Sequence, residues 1–189
     1  PIDDLRDDVV AAFARGPVVL SAPTGSGKST QVPRWLGRVG PVVVVEPRRV
    51  AAQSLAARIA ELEGVKLGAE VGFVVRDKAV ISAQTQICFV TPGIALRWWA
   101  DGRMDHVHAL VLDEFHERGM DLDLLLALAR ASQQPRVLVM SATLAGDRIA
   151  EYVGGEHLQG LGRLHPVDIR YLPGGTVLPD GRGLEDRVV

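Results

Sequence analysis

Short apolar runs alternate with helical patterns along most of this chain. The strand-like runs, rich in Val, Leu and Ile, are 18–20, 42–45, 71–75, 87–91, 109–113 and 137–141. Apolar residues recur at helical spacing in 29–36, 50–63, 93–100 and 121–131, and a short leading helix is predicted from Ile2, Leu5, Val9 and Phe13. This order is typical of α/β domains, so we predict a mostly parallel sheet with helices on both faces.

The pattern weakens from Gly154 onward, where repeated glycines interrupt the apolar positions. Only the segment 167–172 still resembles a strand. We therefore predict one domain over residues 1–153, followed by a tail or linker over 154–189. Because the chain begins at Pro1 and not at a Met, we expect it to be excised from a longer protein.

The composition narrows the class of protein. An apolar content of 47% excludes wholesale disorder, and a net charge of -2 argues against a generally basic nucleic-acid wrapper. No apolar run approaches the roughly 18 residues that span a membrane, and the acidic N-terminus is unlike a signal peptide. The single cysteine, Cys88, lies in an apolar run, so we expect a core residue and a reducing, cytoplasmic setting.

A glycine-rich segment follows the first predicted strand and precedes a predicted helix. Gly25 and Gly27 permit a tight turn whose N–H groups point at phosphate oxygens. Lys28 would bring a cation to the outer phosphates, and the Ser29 hydroxyl would ligate Mg²⁺. Ala22 replaces the first glycine of the strict motif, which leaves an ordinary turn as the alternative, but the flanking elements favour a nucleotide site. Its predicted residues are Pro23, Thr24, Gly25, Ser26, Gly27, Lys28, Ser29 and Thr30.

Two acids, Asp113 and Glu114, end the apolar run that begins at Ala109. An Asp at this position can hold magnesium, and the next Glu can orient or deprotonate an attacking water. Two acids can also cap a turn, but the phosphate loop favours the catalytic interpretation. Because ligands bind at the carboxyl ends of parallel strands, we expect Lys28 to share one pocket with both acids.

The segment Asp113-Glu-Phe-His116 resembles the DEAH-type signature of superfamily 2 nucleic-acid helicases, with Phe115 in place of Ala. Further segments resemble the other motifs of that family in its order, namely 22–30 for motif I, 46–52 for motif Ia, 91–93 for motif Ib and 141–143 for motif III. Together with 162–167, the Phe variant is most similar to the bacterial HrpB-like branch. The resemblance covers nearly the whole chain and implies a RecA-like P-loop NTPase domain that uses ATP or another NTP with Mg²⁺.

The resemblance also implies roles for individual residues. Lys28 and Ser29 would contact phosphate and metal, Asp113 would hold the metal, and Glu114 would activate water. His116 would contact the nucleotide and sense a partner domain, although a local hydrogen bond at a helix start would also explain it. The coupling residues implied are Ser141, Ala142 and Thr143, and the two hydroxyls among them also suit helix capping.

Two further segments are candidates for nucleic-acid contacts because each combines a strand end with a helix start. They are Pro47, Arg48 and Arg49 in the first segment, and Thr91, Pro92 and Gly93 in the second. A solvated helix start explains the first equally well in isolation, and an ordinary turn the second. Contacts of this kind reach the backbone of single-stranded RNA or DNA and carry no base sequence information.

We therefore predict the N-terminal motor domain of an ATP-dependent nucleic-acid helicase. The resemblance implies a second RecA-like domain of the same polypeptide, which supplies arginine fingers and which this sequence lacks. Because such a finger is worth about 10³–10⁵ in rate, the fragment alone is expected to be poorly active. The alternatives are a small P-loop kinase, which leaves the segments 47–49 and 141–143 without a role, and a nucleotide-switched nucleic-acid-binding module, in which Glu114 is dispensable.

Overall fold

The computed structural model describes residues 2–132, 134–142 and 146–160 of the chain. The strands are β1 Val18–Ser21, β2 Val42–Val45, β3 Val71–Val75, β4 Lys78–Val80, β5 Ile87–Val90, β6 Ala109–Leu112, β7 Arg136–Ser141 and β8 Glu156–Gln159. The α-helices are α1 Arg6–Arg15, α2 Lys28–Gly37, α3 Arg49–Glu63, α4 Pro92–Ala100, α5 Met120–Ser132 and α6 Gly146–Val153. Two 3-10 turns, Asp3–Leu5 and Phe115–Glu117, complete the regular elements of this part of the chain.

The strands form a single sheet in the order β4-β3-β5-β2-β6-β7-β1-β8. Neighbouring strands are parallel except β3 and β4, which form an antiparallel hairpin. Crossover helices connect parallel strands and cover the faces of such a sheet, and this requirement explains the alternation seen in the sequence. The predicted α/β class and mostly parallel sheet are confirmed.

Each face of the sheet carries its own hydrophobic core. Side chains alternate along a strand, so Val18 and Leu20 of β1 face one core while Val19 faces the other. Helices α1, α2 and α3 pack on the first face through residues such as Phe13 and Leu36. The second face is covered by α4, α5 and α6. With both faces covered, the central strands are apolar throughout, as their sequences indicate.

The carboxyl ends of five strands meet at one edge of the sheet. Strand register places Val45 opposite both Val90 and Leu112, and Ser21 opposite Ser141. The phosphate loop, the two candidate nucleic-acid segments and the acidic signature each follow one of these ends, and Ser141 and Ala142 lie at the fifth. The fold therefore gathers every predicted motif at the edge where α/β proteins bind ligands.

The predicted end of the domain at residue 153 is wrong for the residues that follow directly. Glu156–Gln159 forms β8, which pairs in parallel with β1. Gly155 is required for a close approach, because a Cβ there would lie 2.3 Å from the backbone oxygen of Pro17. The glycines at this point mark a tight junction and not the start of a linker. The rest of the predicted tail, with its strand-like segment 167–172, lies outside the described residues.

Besides β8, helix α6 and strand β4 are not among the predicted elements. The residues of β4 are mostly exposed, and this strand pairs only with β3 at the edge of the sheet, so its sequence lacks an apolar pattern. Where the sequence predicts the bounds of a strand or helix, the observed bounds agree to within one residue at each end. Cys88 is buried in β5, and burial raises the pKa of its thiol to about 12. Over the described ranges, no helix is both long and apolar enough to cross a bilayer.

Candidate nucleotide and nucleic-acid site

The phosphate loop turns between β1 and α2 with two glycines at left-handed backbone angles. Gly25 has a φ of 78° and Gly27 a φ of 94°, values that side-chain-bearing residues rarely adopt. Gly27 is the N-cap of α2, and its carbonyl accepts hydrogen bonds from the N–H groups of Thr30 and Gln31. The Thr30 hydroxyl donates to the same carbonyl at 2.9 Å. The chain thus presents the first turn of a helix, with its free N–H groups, at the open edge of the sheet.

Lys28 and the two acids of the signature lie in one pocket, as expected from the sequence. The Lys28 ammonium is 3.5 Å from Glu114 Oε1, although the residues come from different crossover units. Lys28 is only 3% exposed, and a buried lysine needs an anionic partner. Asp113 is fully buried directly beside Glu114, and its Oδ1 accepts the Glu114 N–H at 2.8 Å.

The Asp113 carboxylate is in an unusual electrostatic environment. Burial raises its pKa to about 6. The Ser29 hydroxyl and the Glu114 N–H pull this pKa downward, and the Lys28 ammonium does so as well. Burial disfavours the charged form of a carboxylate, and a nearby cation stabilises that form. A carboxylate that binds a metal ion is in this situation.

Glu114 occupies a strained position between two nitrogen atoms. Its φ of 46° lies in the left-handed region, which costs a non-glycine residue free energy of order 1 kcal/mol and is common at functional sites. Its Oε1 faces Lys28, and its Oε2 is 3.2 Å from His116 Nδ1. His116 is the central residue of the 3-10 turn. The structure thus brings the predicted water-activating residue and the predicted sensing residue close together without an aligned hydrogen bond between them.

The residues of the pocket fit a nucleoside triphosphate with a divalent cation. Among the buried side-chain atoms of the described residues, three lack a hydrogen-bond partner: Ser26 Oγ, Asp113 Oδ2 and His116 Nδ1. All three belong to the phosphate loop or the signature. Buried polar atoms are normally paired, so their concentration here indicates a polar ligand. The carboxylate oxygen of Asp113 and the hydroxyl oxygen of Ser29 are ligands of the kind that Mg²⁺ prefers.

A cavity of about 370 Å³ connects this pocket with the start of α3. Its lining includes Ser29, Glu46, Arg48, Glu114 and Glu117. Burial raises the pKa of Glu46 to about 7, against the opposing effect of the Arg48 N–H, which donates to Glu46 Oε1 at 3.1 Å. The nearby acids, Asp113, Glu114 and Glu117, contribute to this rise. The cavity therefore joins the predicted nucleotide residues to the first predicted nucleic-acid segment.

Both arginines of that segment are exposed and engaged with carboxylates. Arg48 Nη2 lies 2.7 Å from Glu117 Oε1, and Arg49 Nη2 lies 2.9 Å from Asp77 Oδ2. Pro47 separates this pair from the buried end of β2 and directs the chain into α3. Ion pairs between exposed side chains are weak, so a phosphodiester group can compete for the guanidinium groups.

The second predicted nucleic-acid segment also opens a helix. Thr91 is the N-cap of α4 with an extended backbone, and Pro92 occupies the first helical position. A Cβ at Gly93 would meet no atom within 4 Å, so the backbone there is open to a ligand. The segment lies beside the first one at the same sheet edge, because β5 pairs with β2.

Ser141 ends β7 next to the phosphate loop. It is fully buried, and its carbonyl accepts the Ala22 N–H at 3.0 Å. The predicted coupling segment thus touches the first residue of the loop through the backbone. Ala142 is half-buried beside it, and Thr143 lies outside the described residues.

The sequence model of the DEAD/DEAH box helicase family matches residues 6–152. This chain belongs to that family. The match begins with α1 and ends in α6, so it contains every motif placed above. The resemblance to DEAH-type helicases drawn from five motifs is confirmed, and with it the RecA-like α/β fold.

Three curated relatives align with the chain at 36–39% identity. The chain is 38% identical over 200 aligned residues to the ATP-dependent RNA helicase HrpB of Escherichia coli (strain K12), with 100% of the chain and 24% of that protein covered. It is 39% identical over 188 residues to the ATP-dependent RNA helicase DHX33 of Homo sapiens, with 90% and 27% covered. It is 36% identical over 166 residues to the Probable ATP-dependent RNA helicase spindle-E of Aedes aegypti, with 80% and 12% covered. The chain thus spans about a quarter of the length of the first two relatives.

Two acids of this DEAD/DEAH box helicase domain belong to the site although the sequence does not predict a role for either. Glu46 follows the apolar strand β2 as Asp113 follows β6, and this parallel is a signal that the sequence contains. Glu117 offers no such signal, because its contact with Arg48 depends on how the 3-10 turn packs against α3. Both residues line the cavity between the two candidate binding regions.

Proposed function

We propose that this chain is the N-terminal motor domain of an ATP-dependent RNA helicase, in which ATP binding and hydrolysis drive movement along a single strand. The observation that carries the proposal is the shared pocket of Lys28, Asp113 and Glu114 inside a DEAD/DEAH box helicase domain. RNA is the proposed substrate because the three relatives are named as RNA helicases.

Each residue of the pocket has a separate role in the proposed hydrolysis. Lys28 offsets negative charge on the outer phosphates, and the N–H groups at the start of α2 bind their oxygens. Ser29 and Asp113 would hold Mg²⁺, which, when bound, supplies charge stabilisation to the phosphoryl group. Glu114 orients the attacking water and accepts its proton, and His116 Nδ1 lies 3.2 Å from the second oxygen of that carboxylate.

The nucleic acid would lie across the same edge of the sheet. Arg48 and Arg49 contact the phosphodiester backbone after exchanging their carboxylate partners for phosphate. Thr91 and the Gly93 N–H bind a neighbouring phosphate at the start of α4. A second RecA-like domain of the same polypeptide would close over both sites, supply the arginine finger and convert closing and opening into movement. The relatives are long enough to contain such a domain.

The deciding experiment measures the ATPase rate of the full-length protein with and without single-stranded RNA or single-stranded DNA. We expect RNA to stimulate the rate and Glu114→Gln to abolish both the basal and the stimulated activity. Glu61→Gln is the matched control, since Glu61 is an exposed acid paired with Arg58 on the far part of α3. Equal rates with and without either polynucleotide would contradict the proposal, as would full activity in the Glu114→Gln variant.

A further inference from the structure

A second polar cluster lies at the edge of the sheet beyond β1, away from the acidic signature. His157 on β8 contacts Ser21, the last residue of β1, with 2.9 Å between His157 Nε2 and Ser21 Oγ. Its other nitrogen, Nδ1, lies 2.7 Å from Asp147 Oδ1 in the first turn of α6. One side chain therefore bridges the strand that leads into the phosphate loop and the helix that follows the coupling segment.

The partners fix the roles of the two ring nitrogens. An ionised carboxylate only accepts hydrogen bonds, so the proton on Nδ1 points to Asp147. In the neutral ring Nε2 is then an acceptor, and the Ser21 hydroxyl donates to it. Both hydrogen bonds are satisfied at once, which orients the imidazole and leaves no freedom for Ser21 to rotate without breaking a bond.

The backbone around this cluster is packed tightly. The Gly160 N–H donates to Ser21 O at 2.7 Å, which ties the end of β8 to the end of β1. A Cβ at Gly146 would lie 2.2 Å from His157 Nε2, so α6 begins with its backbone directly against the ring. A shift of Ser21 therefore displaces the ring, and the ring displaces the start of α6.

The same distances would suit a hydrolytic Ser-His-Asp triad, in which histidine activates the serine. The position of Ser21 does not fit a hydrolytic triad, because Ser21 is only 8% exposed and lies in a strand between β7 and β8. A nucleophile has to reach its substrate, whereas a hydroxyl that transmits position is best buried. The cluster therefore suits a mechanical role.

We propose that His157 is a positioning residue that couples the phosphate loop to helix α6. Ser21 precedes the loop directly, and the Ala22 N–H is bonded to Ser141 O, so nucleotide binding at the loop acts on the ends of β1 and β7. His157 carries the change at Ser21 to Asp147 in the first turn of α6. The inference rests on the proposed function only in requiring that the loop binds nucleotide.

The test is hydrogen exchange of the full-length protein with and without ADP and MgCl₂, followed in two peptides, the phosphate loop and α6. In the unmodified protein, ADP is expected to slow exchange in the loop and also in α6, by about fivefold or more in the latter. In His157→Ala the loop should still respond and α6 should not. Ser21→Ala should behave in the same way, and it removes only one hydroxyl, so it keeps the test valid if His157→Ala does not fold.

The matched control is Glu156→Ala. Glu156 is the neighbour of His157 on β8 and forms an ion pair with Arg15 on α1, at 2.7 Å, outside the cluster. This variant should keep the response of α6. The inference is overturned if α6 responds to ADP in His157→Ala, if Glu156→Ala loses the response equally, or if a fluorophosphonate probe labels Ser21 in a His157-dependent manner.

The two proposals fail in different ways. If ADP does not slow exchange in the loop of the unmodified protein, the nucleotide site itself is refuted and the coupling falls with it. If ADP protects the loop but leaves α6 unchanged in the unmodified protein, the nucleotide site stands and the role of His157 alone is refuted.

Discussion

Arg48 and Glu117 form an ion pair, 2.7 Å between Nη2 and Oε1, that joins two parts of the site with different predicted tasks. Arg48 belongs to the segment expected to bind the phosphodiester backbone. Glu117 ends the 3-10 turn that begins directly after the two proposed catalytic acids, Asp113 and Glu114. If a phosphate takes the place of Glu117, we expect the surroundings of the turn next to Glu114 to change, which would link the proposed polynucleotide binding to the proposed hydrolysis.

Glu117→Gln should increase the affinity for single-stranded RNA. The substitution frees the Arg48 guanidinium and removes a negative charge from the path of the phosphates. Exposed ion pairs are worth about 0–1 kcal/mol, so we expect the Kd to fall by at most about fivefold. Fluorescence anisotropy with a labelled oligonucleotide measures this, and the difference should shrink at high salt. Glu61→Gln should leave the Kd unchanged; a weaker affinity in Glu117→Gln would contradict the competition between carboxylate and phosphate.

Lys28→Ala and Glu114→Gln should separate nucleotide binding from turnover. Lys28 is the buried cation of the pocket, so its loss should weaken the binding of a fluorescent ATP analogue. Glu114→Gln keeps the shape of the side chain but removes the base, so binding should persist while kcat falls by about 10²–10⁴. Equilibrium titration and a steady-state assay on each variant provide the comparison. Equal loss of nucleotide affinity in both variants would contradict these separate roles.

Glu46 should make the domain less stable as the pH rises. Its folded pKa of about 7 lies above the ordinary value of 4.5 for a glutamate, so the folded state holds the proton more tightly. The stability that this contributes is complete below about pH 4.5 and is lost as the pH passes through 7. Glu46→Gln, which cannot ionise, should remove this part of the pH dependence and raise the free energy of unfolding at pH 8 by about 1–3 kcal/mol.

Urea unfolding at pH 5, 6, 7 and 8 measures the effect of Glu46→Gln. Asp113, whose pKa burial raises to about 6, adds a similar slope at lower pH that the variant should retain. Glu63→Gln serves as a comparison, because Glu63 is a partly exposed acid at the end of α3. A variant whose stability falls with pH as steeply as that of the unmodified protein would show that Glu46 does not titrate in this range.

Gly155→Ala should weaken the docking of β8. Its new methyl group would lie 2.3 Å from Pro17 O, the same oxygen that accepts the Glu156 N–H. The strand must shift to relieve the clash, at a cost of about 1–3 kcal/mol in the free energy of unfolding. Gly16→Ala is the control: Gly16 has extended backbone and open space at its Cβ position, so its substitution should change stability by about 0.5 kcal/mol at most. Equal stability of the two variants would show that β8 is not held at this junction.

Much of this site follows from local sequence. The glycines at 25 and 27 and the helix after them define the phosphate loop, because left-handed backbone angles and a free helix start need no distant partner. The apolar runs define the central strands, since a strand buried on both faces has few polar alternatives. Parallel pairing then brings Lys28 to Glu114, because crossover connections place all the strand ends at one edge.

Other features depend on contacts that no local pattern predicts. Strand β8 reads Glu-His-Leu-Gln, without an apolar run, and it becomes a strand because β1 offers an unpaired edge. His157 gains its two polar partners only when Ser21 and Asp147 arrive from other elements.

Hydrophobic periodicity and turn chemistry act over a few residues, and they determined the order of the elements and the composition of the phosphate loop. The tertiary structure decided the ion pairs of Arg48 and Arg49, the burial of Glu46 and the last strand of the sheet. Their physical reason is the same in each case: the free energy of a polar group depends on its partner and on its exposure to water, and both are set by residues far away in the chain.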